Sequence, residues 1–341
     1  MKKIVFILVL LILGSQILKS ESYPLDNVLK PDSIFVSKDR VYITEGATIY
    51  MYSKNDIKYL GKFGKKGEGP GEINGSRRGN VSFSINTVGN DIFIHNRSKV
   101  MFFTKEGKFI REKRLSGGFI RGMLPVGSNF VARSFKIGSN RSRTESISIY
   151  DKSFKKKSEV AGKPEKKFER GRFFKIYFEN NVFNMRTCKN EIFLNNTKEF
   201  LIDKYDSEGK KLNPIKINYN LIKVSSTQKS KIKSYYKNES RFSKFWERIR
   251  TMLDIADQYP AIKNFFVTGN KIYVQTYKKT PQGYEFYILD KHNGKILDKK
   301  IISIGILNII KDSPYYIEGG KIYSLIENTD EEEWELVISK A

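Results

Sequence analysis

Six times along this 341-residue chain a polar, turn-forming triplet runs straight into three β-type residues, and that recurrence restricts the fold more than any single residue does. The pairs are Lys38-Asp39-Arg40 before Val41-Tyr42-Ile43, Gly89-Asn90-Asp91 before Ile92-Phe93-Ile94, and Gly127-Ser128-Asn129 before Phe130-Val131-Ala132. They continue with Lys189-Asn190-Glu191 before Ile192-Phe193-Leu194, Gly269-Asn270-Lys271 before Ile272-Tyr273-Val274, and Gly319-Gly320-Lys321 before Ile322-Tyr323-Ser324. Spacings of roughly 40 to 60 residues, with one near 80, suit a four-stranded unit with insertions better than the shorter solenoid repeats.

Each unit carries a second β-rich run, such as Ile49-Tyr50-Met51-Tyr52, Val100-Met101-Phe102-Phe103 or Phe286-Tyr287-Ile288-Leu289. In three units a Gly hairpin follows: Lys105-Glu106-Gly107-Lys108, Ser207-Glu208-Gly209-Lys210 and His292-Asn293-Gly294-Lys295. Gly stands where a tight hairpin needs a positive φ. The unit therefore reads as strand, polar turn, strand, strand, Gly hairpin, strand, which is a propeller blade. The last unit stops after its third strand, and an open ring would leave strand edges exposed. The expected fold is an all-β six-bladed propeller over residues 23–341, closed by an N-terminal strand, with Asn27-Val28-Leu29 as the expected donor.

One stretch breaks the β pattern. From Ser225 to Gln258, Ile232, Tyr235, Tyr236, Phe242, Phe245, Ile249 and Leu253 recur at mostly helical spacing, and Pro260 ends the segment. The opposite face holds Lys229, Lys233, Lys237, Arg241, Lys244 and Arg248, so residues 225–258 read as a basic amphipathic helical insertion. It could pack on a blade, form a lid over one propeller face, or lie on a membrane surface. A second basic stretch, Lys155-Lys156-Lys157 through Lys166-Lys167 to Arg170 and Arg172, reads as a solvated loop.

Lys2-Lys3 ahead of the apolar run Ile4 to Leu13, then Gly14-Ser15 and the small residues Ser20 and Ser22, has the form of a secretory signal peptide over residues 1–22. The run is well short of the roughly 20 apolar residues of a spanning helix, so no transmembrane segment is expected after cleavage near Ser22. This implies an exported protein, periplasmic or extracellular. Cys188 is the only cysteine, which excludes an internal disulfide. The formal charge is +25; residues 1–22 hold Lys2, Lys3, Lys19 and Glu21, so their removal leaves +23. Such a balance favours an anionic surface or acidic partner, and export disfavours nucleic acid.

The segment Phe63-Gly64-Lys65-Lys66-Gly67-Glu68-Gly69-Pro70-Gly71-Glu72-Ile73, followed by strands and by Asn96-Arg97-Ser98-Lys99-Val100-Met101-Phe102-Phe103, resembles an NHL-type repeat. In such repeats a G-x-x-G-x-G-P-G-E loop links blades. The chain is similar to exported bacterial six-bladed propellers of the TolB-like superfamily, as motif over residues 57–110 and as architecture over the rest. Many of those relatives are lipoproteins, and this leader lacks the lipidated Cys. Physically, Gly67, Gly69 and Gly71 are expected to free the backbone and Pro70 to stiffen the crossing, a structural loop. A phosphate cradle would need a helix after the loop, and β structure follows instead.

Catalytic chemistry is hard to assemble. Zinc sites need several His or Cys ligands, and only His95, His292 and Cys188 are present. His95 reads as a hydrogen-bonded strand-end residue and His292 as a solvated turn residue. No D-x-D-x-D-G calcium loop and no G-x-S-x-G elbow occurs. No cofactor is assigned. The leading expectation is a non-enzymatic scaffold that binds a protein, peptide or glycan at one propeller face. The alternatives are a metal-dependent, lactonase-like hydrolase or lyase, and peripheral binding to anionic membrane through Lys237, Arg241, Lys244, Trp246 and Arg248.

Overall fold

Each β-type triplet becomes the middle of the second strand of a four-stranded antiparallel sheet, and there are six such sheets. The computed structural model describes residues 20–75, 81–97, 99–115, 119–137, 143–166, 184–195, 199–251, 253, 255–308 and 311–341. The chain enters as β1 (Glu21–Pro24) and builds blade 1 from β2 (Ser33–Val36), β3 (Arg40–Glu45), β4 (Thr48–Ser53) and β5 (Tyr59–Phe63). Blade 2 is β6 (Ser84–Val88), β7 (Asp91–Asn96), β8 (Lys99–Phe103) and β9 (Phe109–Arg114). Blade 3 is β10 (Phe119–Val126), β11 (Asn129–Ile137), β12 (Arg143–Tyr150) and β13 (Lys156–Lys166). Blade 4 is β14 (Met185–Cys188), β15 (Glu191–Asn195), β16 (Leu201–Asp206) and β17 (Lys211–Lys216). The helices α1 (Ser226–Asn238), α2 (Ser240–Ser243) and α3 (Trp246–Arg250) precede blade 5, which is β18 (Asn264–Thr268), β19 (Lys271–Thr280), β20 (Gly283–Asp290) and β21 (Ile296–Ile302). A short hairpin, β22 (Ile306–Asn308) with β23 (Lys311–Asp312), leads to blade 6: β24 (Tyr315–Glu318), β25 (Lys321–Asn328), β26 (Glu333–Lys340) and β1.

The triplets are buried throughout, and apolar at every position but Ser324, because both faces of each blade are covered. Successive strand residues point to opposite faces, so Ile92 and Ile94 pack toward blade 1 while Phe93 packs toward blade 3. The same split recurs for Ile192, Leu194 and Phe193, and for Ile272, Val274 and Tyr273. Among the described residues the buried apolar side chains form six clusters, one between each pair of adjacent blades. Removing one such ring, as in Phe93→Ala, costs about 3–5 kcal/mol. Gly107, Gly209 and Gly294 take the positive φ expected of their hairpins.

Three expectations are corrected. The closing strand is Glu21–Pro24, paired antiparallel with β26, and not Asn27-Val28-Leu29. Val28 instead plugs the core between blades 6 and 1 while Leu29 is 82% exposed, a turn geometry that cannot supply a paired edge. The propeller thus starts at Glu21, two residues inside the segment assigned to the leader. Second, the basic stretch after Lys155 is not a loop: β13 is the outer strand of blade 3, with Lys156 and Lys157 paired to Glu159 and Glu208 at 3.0 and 2.7 Å. An outer strand is solvated along one edge, so it tolerates lysines, and Pro164 there forfeits no inner hydrogen bond. Lys167, Arg170 and Arg172 lie outside the described residues. Third, His95 does not end its strand but lies inside β7, paired across to Ser84 and Val100.

Candidate functional site

Antiparallel order sorts the connections between the two faces of the ring. The polar triplets and Gly hairpins turn at one face, while the links between blades and the loops joining second to third strands emerge at the other. The Gly-rich link and the helical insertion both belong to this second face, here called the link face.

On the innermost strands, six equivalent positions lie opposite the central triplet residues: Phe35, Asn86, Leu124, Arg186, Phe266 and Tyr316. Directly opposed residues share a face, so each points toward the next blade. Phe35 meets Tyr316 edge to face at 5.4 Å and Tyr316 meets Phe266 at 5.3 Å. The Arg186 guanidinium lies 5.1 Å from the Phe266 ring, and it is the one charged member of the six.

From Arg186 a hydrogen-bonded chain of side chains crosses blades 4 to 6 just inside the link face. Arg186 Nη2 donates to Asn264 Oδ1 (2.9 Å), and Nε and Nη1 donate to the carbonyls of Phe265 and Met185 (both 3.0 Å). Asn264 Nδ2 donates to the Tyr315 hydroxyl (3.0 Å), which donates to Gln275 Oε1 (2.7 Å). Gln275 Nε2 and Lys263 Nζ close the chain on the two oxygens of Asp312, at 3.1 and 2.7 Å. Lys263 also lies over the Tyr284 ring at 4.0 Å. Burial pulls the Lys263 ammonium below its usual range against the opposing pull of Asp312. Burial raises the Tyr315 hydroxyl and carries Tyr316 to about 12, so both stay protonated donors at neutral pH. Sequence reading missed this constellation, although one signal was present: each inner-ring residue stands seven positions before the centre of its triplet.

The insertion roots beside this chain. Val224 N donates to the Asp257 carbonyl and Tyr259 N to the Ile222 carbonyl, both at 2.8 Å, pinching the segment at its base. Tyr259 stacks on Tyr277 at 4.6 Å, next to Lys263. α1 begins on a capping box, Ser225 with Gln228. Of the expected apolar stripe, Ile232, Tyr236 and Ile249 are buried, but Phe245 is 61% exposed, because the helix breaks at Glu239 and Phe245 and turns this ring outward. Lys237, Lys244 and Arg248 are exposed, Trp246 is half-buried at the start of α3, and Arg241 falls in α2. Lys229 is not on the free face: its ammonium pairs with Asp257.

The Gly-rich link folds around its own Glu72. The Glu72 carboxylate accepts from Gly69 N (3.0 Å) and pairs with Lys65 (3.2 Å), and a Cβ on Gly67 would collide with it. Gly67 and Gly69 do not use the left-handed region; they are wanted for space. Gly71 alone of the three has positive φ (+72°), and its N–H donates to Glu112 Oε2 at 3.0 Å. Buried Lys99 donates to Gly69 O and to Glu112, both at 3.1 Å, and Pro70 sits between these anchors.

His95 is buried, and desolvation lowers its pKa to about 4, with its Nε2 unpartnered. His292 is exposed in its hairpin, its N–H bonded to Asp290. Burial raises the Cys188 thiol, which keeps it protonated. Among the described residues no three His, Cys, Asp or Glu side chains converge as metal ligands, and no helix is long and apolar enough to cross a membrane.

No protein-family model and no curated protein matches the sequence. The fold is similar to a DUF4221 family member from Bacteroides vulgatus, with TM-score 0.53 and 12% identity over 95% of this chain and 97% of that one. It also aligns with the β-propeller domain of Myceliophteria thermophila Cps50 (Swd1) at TM-score 0.42, 9% identity, 91% and 96% coverage. The Neurospora crassa Pan2 WD40 domain gives 0.40, 9%, 91% and 89%. At such identities the likeness is one of fold.

Proposed function

We propose that this propeller is an exported, non-enzymatic scaffold of the NHL-type, TolB-like class that binds a protein, peptide or glycan on its link face. The observation that carries the reading is the insertion: a segment pinched at its base, rooted on the buried polar chain, and presenting Lys237, Phe245, Lys244 and Arg248 to solvent. Exposed aromatic and basic side chains beside a preorganised polar ring are the ingredients of a recognition surface. Excision of residues 225–256, with a short Gly-Ser joint from Val224 to Asp257, tests it. The expected result is at least a tenfold loss of retention for the partner found on glycan arrays and envelope-protein panels; undiminished retention overturns the assignment of the face.

A second reading, attachment to anionic membrane, is favoured by the exposure of Phe245 next to Lys244, since a ring flanked by cations suits a headgroup boundary. Vesicles of phosphatidylglycerol separate the two. Membrane attachment predicts binding that disappears in K237E/R241E/K244E/R248E; binding that persists in that variant overturns it. Export is tested by the N-terminus of protein recovered outside the cytoplasm, expected at or before Glu21 so that β1 survives.

A further inference from the structure

Among the described residues, Arg186 holds a charge that no carboxylate neutralises. Among the described residues no carboxylate lies within 4.0 Å of its guanidinium, and Asp312, the acid of the same chain of hydrogen bonds, is taken by Lys263 and Gln275. Three of its five N–H groups are bound to Phe265 O, Met185 O and Asn264 Oδ1, which fixes the plane of the fork and, among the described residues, leaves two N–H groups to spare. Burial works against the charge, lowering the group's pKa from its usual value, though a guanidinium remains protonated. In the inner ring Arg186 stands between Leu124 of blade 3 and Phe266 of blade 5, and beyond Phe266 come Tyr316 and Phe35, each ring touching the next. A desolvated, oriented guanidinium with spare donors is matched by a planar, two-oxygen anion.

Resting on the scaffold reading above and deepening it, we propose that Arg186 is the receptor for a single carboxylate, the side chain of an Asp or Glu on a bound peptide. The geometry favours a slim acid over an acidic sugar. Phe35, Phe266 and Leu124 carry no group that could bond a hexuronate's hydroxyls, whereas a methylene stem packs against them without loss. Phosphate is a poorer match, because two spare N–H groups in one plane satisfy two oxygens and not three.

The test uses the wild-type chain labelled with 15N-arginine and titrated with N-acetyl-glutamate amide, N-acetyl-glutamine amide and glucuronate. Comparison with R186K assigns the Arg186 Nε–H resonance. Expected are a saturable shift with the glutamate compound, none with the glutamine compound, and, by isothermal titration calorimetry, at least tenfold weaker binding in R186K. Glucuronate binding as tightly or more tightly reassigns the site to acidic glycans and overturns the peptide claim. No shift with any carboxylate overturns the site. R186M supplies an independent check: its melting midpoint is expected to hold or rise, and a fall of 10 °C or more would mark the arginine as structural. Because the insertion-excised protein is expected to keep the Arg186 response, failure here leaves the scaffold reading to its own test.

Discussion

Two links on the same face join neighbouring blades in opposite ways. The Gly-rich link between blades 1 and 2 is stitched down: Ile73 is fully buried, Gly71 and Gly69 bond Glu112 and Lys99, and the Asn96 side chain accepts from Asn74 N at 2.7 Å. The helical link between blades 4 and 5 is pinched at its root and leaves Phe245, Lys237 and Lys244 in solvent. The link with the recognisable motif is therefore the one occupied with holding the ring together, and the link with no motif is the one free to meet a partner. A glycine pattern marks where the backbone must squeeze, which is a structural demand before it is a functional one.

The contrast can be broken by substitution. A third link, from blade 6 to blade 1, sets the upper limit: it starts from β1 and buries Leu25 and Val28. A chain starting at Leu25 loses β1 and exposes the edge of β26, with an expected loss of about 4 kcal/mol in urea unfolding and a tendency to associate. Next, in the stitched link, Lys99→Met strands Glu112 in a partly buried site, with an expected loss of roughly 3 kcal/mol. A loss below 1 kcal/mol would mean the stitching is incidental.

Blade 2 should also carry a pH signature. His95 has a folded pKa of about 4, below its ordinary 6.5. Below the unfolded value the unfolded chain takes up a proton that the native chain refuses, so stability is full above pH 6.5 and falls as the pH drops toward 4. The span is on the order of 3 kcal/mol, and H95F is expected to flatten that part of the profile. Gly71→Ala, which needs a positive φ and meets the Phe109 ring, is expected to cost about 2 kcal/mol. At the small end, triple reversal K237E/K244E/R248E in the free link should move stability by no more than about 0.5 kcal/mol. A larger change would show that the insertion is packed rather than presented.

The repeats were legible because every triplet faces two neighbouring blades at once, so Val41-Tyr42-Ile43 and its five counterparts had to be buried on both sides. The insertion was legible because its period differed, though its break at Glu239 and Phe245 was not: a helical stripe does not announce that it will fold back after thirteen residues. The basic run after Lys155 misled, since solvated loops and outer strands draw on the same residues. Arg186 escaped notice because a single arginine in a four-residue strand stands out only once its seven-residue offset from the triplet centre is compared across the blades.

The sequence alone determined the number of blades, the order of strands in each, the hairpins and the place of the insertion, all of which follow from short-range alternation and turn chemistry. Only the tertiary structure decided that Glu21–Pro24 closes the ring, that the glycines of the motif make room for Glu72, and that Arg186 meets Asn264 and Phe265 some 78 and 79 residues along the chain. Those outcomes depend on which side chains are brought together across blade boundaries, and long-range contact of that kind leaves no trace in local periodicity.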